Sequence, residues 1–132
     1  DVNFYRYFIG RDDQSVNESI MIKRLDQQYR VTRIMLDVYN NTVIENKHTD
    51  DAMVHYFDMM MCVSSILSIL EGSEQRLKDK EKLWQDVLES NPVLYQKVRK
   101  SLLGRTMNLP GKVGRKCSVI GYALAQKIFG FN

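Results

Sequence analysis

The side chains able to do chemistry in this chain of 132 residues are few and scattered. Two pairs of adjacent carboxylates, Asp12-Asp13 and Asp50-Asp51, are the first candidates for acid–base or metal work. Neighbours on a strand point to opposite faces and neighbours on a helix lie about 100° apart, so neither pair forms a clamp by itself. Both pairs read as turn or helix-start features. His48 and His55 stand near acids, but no HExxH or comparable ligand set accompanies them, and no metal site is expected. Ser15 has no histidine close in sequence to activate it, so a hydrolase triad has no basis. Cys62 lies in an apolar run and Cys117 in a basic segment, without metal-ligand or redox spacing, and they read as two reduced thiols. That leaves Gly104, Gly111 and Gly114, interleaved with Arg105, Lys112, Arg115 and Lys116. Such a stretch could cradle a phosphate, yet the GxxxxGK[ST] spacing of a P-loop is absent, and spacing alone is a weak argument for one.

Charge says more than motif. The net charge of +3 hides a segregation: residues 1–89 carry 11 Lys and Arg with all 16 Asp and Glu, whereas residues 90–132 carry 8 Lys and Arg and no acid. A basic tail joined to an acidic body points to an anionic partner for the tail: a membrane surface, a phosphorylated ligand or nucleic acid. The tail aromatics Tyr122, Phe129 and Phe131 are spaced like core anchors and not like a stacking platform, so nucleic acid is the least favoured of the three. A composition of 44% hydrophobic and 27% charged residues describes one globular domain and disfavours disorder. No uninterrupted apolar run reaches the ~18 residues that span a bilayer, and no signal-peptide pattern opens the chain.

The elements that must position these residues are helices. Asn17 reads as an N-cap, and Met21, Leu25, Gln28, Val31 or Thr32, Met35, Leu36 and Tyr39 recur at helical spacing, predicting one helix from there to about Tyr39, ended by Asn40-Asn41. Its other face holds Lys23, Arg24, Asp26, Arg30, Arg33 and Asp37, as a solvated face would. A second helix is expected from Thr49-Asp50-Asp51 to Glu71, stopped by Gly72. Its run from Met59 to Leu70 is apolar almost all round, which marks it as the central helix. Methionines there suit core filling, with a binding groove as the alternative. Ser73 should cap a third helix, and Asn91-Pro92 should open a fourth that ends at Gly104. A glycine-containing loop is expected over 105–116, then a last helix from about Cys117 to Phe129 that either docks on the body or lies in a membrane interface. The expected fold class is therefore all-α, a four- to five-helix bundle, with basic segment 104–132 and one short N-terminal β-strand at Tyr5 to Ile9. A lone strand needs a partner strand for its backbone groups, in a second copy or in an upstream domain.

The segment Tyr5-Arg6-Tyr7-Phe8-Ile9-Gly10-Arg11-Asp12-Asp13-Gln14-Ser15-Val16 resembles the stretch that follows the catalytic core in bacterial family 2 glycosyltransferases. There a strand ends the nucleotide-sugar fold, and a loop of the form G-R-x-D-Q-S-V leads into accessory helices. Residues 21–32, the segment Leu109-Pro110-Gly111-Lys112-Val113-Gly114-Arg115-Lys116, Gly121-Tyr122 and the closing residues from Ala125 to Asn132 are similar to that family's tail as well. The resemblance implies an inverting enzyme that moves a sugar from a nucleotide-diphosphate donor to a surface glycan or lipid-linked acceptor, with a divalent metal on the diphosphate. The family's Asp-x-Asp motif and acid–base carboxylate have no counterpart here, so this chain is expected to be non-catalytic and to hold no cofactor of its own. Residues 1–16 would be the edge of the upstream catalytic domain and 17–132 the accessory domain. Arg11, Gln14 and Ser15 are the residues the resemblance places near donor or acceptor. An arginine suits a diphosphate because its planar fork makes paired charge-assisted hydrogen bonds. Arg105, Lys112, Arg115, Lys116 and Lys127 are the expected membrane or anion contacts. The setting implied is cytoplasmic and peripheral, at the inner face of a bacterial membrane, with self-association as a further role. A stand-alone helical module binding nucleic acid or a protein partner is the competing expectation.

Overall fold

A computed structural model describes residues 17–129, and every described element is helical. The expected strand at 5–9, with Arg11, Gln14 and Ser15 beside it, lies outside the described residues. Seven helices follow in order: α1 Glu18–Lys23, α2 Leu25–Asn41, α3 Lys47–Glu71, α4 Glu74–Ser90, α5 Pro92–Lys100, α6 Leu102–Met107 and α7 Gly111–Phe129. The all-α class stands, with more helices than the four or five expected.

The extra helices arise at two places. Arg24, at φ −102° and ψ 20°, leaves helical geometry for one residue, so the expected first helix is divided into α1 and α2. At the other end, the fourth helix stops at Ser101 and not at Gly104, because the Ser101 hydroxyl accepts from the Gly104 amide at 2.8 Å and caps a new helix. Gly104 sits buried inside α6, and the expected loop over 105–116 is mostly the end of α6 and the start of α7. The last helix accordingly begins at Gly111, whose φ of +70° suits a residue without a Cβ, and not near Cys117.

Elsewhere the local signals hold. The Asn17, Ser73 and Asn91 side chains cap α1, α4 and α5, and Gly72 ends α3 in the left-handed region at φ 77°. The cap of α3 is Asn46, not the Thr49 region, since Asn46 Oδ1 accepts from the Thr49 amide at 2.9 Å. Asn40-Asn41 closes α2 without a left-handed residue: Thr42 is extended there.

α3 is the hub, packed by α1, α2, α4, α5, α6 and α7. Phe57, Met61 and Leu67 are nearly fully buried along it, clustered with Leu25, Tyr29 and Leu36 of the first two helices' stripe and Leu83, Val87, Leu94 and Val98 of α4 and α5. By length and a mean hydropathy of 1.5 over its most apolar window, α3 alone among the described helices is long and apolar enough to cross a membrane. Half of that window is buried by its neighbours. Its serines also point inward: Ser64 meets Thr32 Oγ1 at 2.9 Å, Ser68 meets the Tyr29 hydroxyl at 2.6 Å, and Trp84 Nε1 donates to Ser65 at 3.0 Å. These hydroxyls also bond α3 carbonyls four residues back, so no buried polar side-chain atom is left unsatisfied among the described residues. Such a network fixes the register of α2 and α4 on α3.

Candidate functional site

Only the contacts expected of the basic tail fall within the described residues, and α7 sorts them onto different faces. Gly114 and Ser118 are buried and turn α7's inner side to the body, where Ser118 Oγ also donates to the Thr106 carbonyl. Turned away from that inner side, Val113, Ile120, Leu124 and Ile128 are 75%, 60%, 54% and 75% exposed, with exposed Cys117 among them. At about 100° per residue these five fall within one stripe whose centre lies about 100° round the helix from Gly114 and Ser118, and Cys117, on its inner side, also lines a groove against α3 and α6. An exposed apolar stripe of this kind is more informative than scattered exposed leucines. Lys112, Lys116 and Lys127 are exposed and run along one edge of it, and the described part of the tail offers them no acid. Arg105 is exposed on α6.

Arg115 shares a shallow hollow with Lys112, Lys116, Ile69 and Ile120 but also turns to another. It is half-buried and lines a cleft of about 220 Å³ together with Lys80, Arg99, Asn108 and Gly111, with Glu81 at its margin. Lys80 is 9% exposed, and its ammonium donates to Asn108 Oδ1 at 3.0 Å. Asn108 is oriented by its own amide, which donates to the Gly104 carbonyl at 2.8 Å. Arg99 reaches toward the same carbonyl at 3.5 Å and lies over the Trp84 ring, 6.0 Å from its centroid. Burial holds the Lys80 pKa down to about 8; Glu81 opposes this, while Arg99 and Arg115 push the same way. Sequence reading puts Lys80 on the seam of α4 with Leu77, Leu83 and Val87, but nothing in the spacing shows which cations the fold brings beside it.

A second hollow, an apolar groove of about 390 Å³, lies between α3, α6 and α7 and is lined by Met59, Cys62, Leu103, Met107 and Tyr122 among others. The methionine run thus divides its labour: Met61 fills the core and Met59 lines the groove. Burial pushes the Cys62 thiol up to about 11, so it is a poor nucleophile. His48 and His55 are exposed, and no group of three or more His, Cys, Asp or Glu is placed to hold a metal among the described residues. Asp50 is engaged structurally, accepting from the Tyr39 hydroxyl and from Lys97, both at 2.6 Å. Asp58, buried on α3, accepts from the Ser101 hydroxyl at 2.9 Å, which ties the α6 cap to the hub.

No family model, curated protein or solved structure matches the chain.

Proposed function

We propose that the chain is the non-catalytic helical accessory region of a family 2 type glycosyltransferase. In this reading it rests on an anionic membrane surface through the outer face of α7 and keeps an upstream catalytic domain beside a lipid-linked acceptor. The observation that carries the membrane half is the exposed apolar stripe Val113, Cys117, Ile120, Leu124 and Ile128, bordered by Lys112, Lys116 and Lys127. A helix with its apolar side outward and lysines beside it suits the boundary between headgroups and acyl chains. The glycosyltransferase half rests on the sequence resemblance at 5–16, 21–32, 109–116, 121–122 and 125–132. Donor sugar, acceptor and divalent metal belong to the upstream domain in this reading.

Vesicle co-sedimentation tests the membrane half. The chain is expected to sediment with phosphatidylglycerol vesicles at low salt and not with phosphatidylcholine vesicles. Replacing Arg105, Lys112, Lys116 and Lys127 with glutamine should weaken binding by about a thousandfold, at about 1 kcal/mol per charge near the surface. Equal binding by the variant would sink the reading, and salt-dependent binding to duplex DNA in place of vesicles would favour the interaction-module alternative.

A further inference from the structure

The cleft between α4, α5 and the α6–α7 junction carries an inference of its own. Three cations, Lys80, Arg99 and Arg115, line it, with one carboxylate, that of the exposed Glu81. Ion pairs among the described residues involve Arg33, Lys47, Arg76, Lys78 and Lys97, and none of the three cleft cations. Lys80 is nine-tenths buried, yet one neutral amide oxygen, that of Asn108, is its only hydrogen-bond partner among the described residues. An ammonium carries three donors, so two are left to the cleft. Glu81 attracts Lys80 without forming an ion pair with it; burying a charge with no paired counter-charge is costly, and two guanidinium groups beside it raise that cost. The arrangement is poor as a device for stability alone. A single anion would relieve all three groups, since arginine forks and a lysine point charge both suit phosphate oxygens. Gly111 also lines the cleft and begins α7, a helix of 19 residues, whose N-terminal dipole end favours the same charge.

We propose that Lys80, Arg99 and Arg115, with Asn108 holding Lys80 in place, form a binding site for a phosphate group, free or carried by a headgroup. This site does not depend on the membrane reading, because Lys80 and Arg99 lie on α4 and α5, away from the apolar stripe of α7. A cleft of about 220 Å³ has room for a phosphate or a diphosphate.

Two probes separate the sources: sodium pyrophosphate in solution, and phosphatidic acid vesicles compared with phosphatidylglycerol vesicles of equal charge. Pyrophosphate is expected to raise the melting temperature more than sodium chloride of matched ionic strength. Lys80→Met and Arg115→Gln should each bind it about tenfold more weakly, the effect of losing one charge-assisted contact. Lys80→Met should also melt higher than the parent when no phosphate is present. A merely structural Lys80–Asn108 contact requires the opposite. If phosphatidic acid alone shows the response, and loses it in the same variants, the phosphate comes from a headgroup. The proposal is overturned if neither probe exceeds its charge-matched control, or if both variants respond as the parent does. Should Arg115→Gln fail to fold, Lys80→Met alone decides between these outcomes.

Discussion

Gly104→Ala is expected to destabilise the chain by about 3 kcal/mol, the upper end of what overpacking a filled site costs. Alanine is the better helix former by about 1 kcal/mol, so an unconstrained helical glycine would respond in the opposite direction. Gly104 is constrained. A Cβ there would run into the Val98 carbonyl oxygen and lie 3.0 Å from the Val98 carbonyl carbon and 3.1 Å from Arg99 Cα. Those are backbone atoms, Val98 is fully buried, and its carbonyl also accepts the Ser101 amide that ends α5. Rotating a side chain cannot relieve the overlap, so α6 has to lift from α5. Lifting it disturbs the Gly104 carbonyl, on which Asn108 and Arg99 converge, and with it the cationic cleft. Gly121→Ala is the control, because nothing lies within 4 Å of its Cβ position, and it should gain up to about 1 kcal/mol. Urea unfolding of the two variants checks both signs, and a Gly104→Ala midpoint at or above the parent's would contradict the packing.

The second large effect is a pH dependence that belongs to Lys80. Its folded pKa, about 8, lies below the value near 10.4 of an unfolded lysine. Below pH 8 the proton is bound in both states, and the folded chain bears the full cost of the buried charge. Between about pH 8 and 10.4 the folded state has released the proton while the unfolded state still holds it, so stability rises with pH. The whole rise is on the order of 3 kcal/mol. Unfolding the parent and Lys80→Met in parallel from pH 7 to 10.5 isolates the effect, because the other lysines and tyrosines are common to both. Lys80→Met should be the more stable at pH 7, with the gap closing by pH 10.5. Parallel curves would place Lys80 in water.

Much of the fold was legible because its local signals are chemical. Asn17, Ser73 and Asn91 cap helices, Gly72 stops one, and the run from Met59 to Leu70 is the hub. What escaped sequence reading shares one cause. Gly104 and Gly114 punctuate no turn; each marks a close approach between backbones, Gly104 at α5 and Gly114 at Leu109, and that can be recognised only once the partner segment is in place. Reading them as loop glycines hid α6 and the first part of α7. The basic residues were visible as a set but not as a geometry. One face of α7 takes Lys112, Lys116 and Lys127 past an apolar stripe, while Arg115 turns into the cleft to join Lys80 and Arg99, which lie on α4 and α5. Convergence of three helices has no signature in any one of them.

The central claim, that the outer face of α7 meets an anionic bilayer, is tested most directly by an environment-sensitive fluorophore on Cys117. That thiol is exposed within the stripe, and Cys62 escapes labelling because it is half-buried with its thiol pKa pushed up to about 11. On phosphatidylglycerol vesicles the Cys117 label should shift to the blue and be quenched by lipid-embedded quenchers. A label on Thr42→Cys in a Cys117→Ser background, at an exposed position just beyond α2, should do neither. If the vesicle-bound chain keeps its Cys117 label as wet as the Thr42→Cys label, α7 does not face the membrane and the account is wrong.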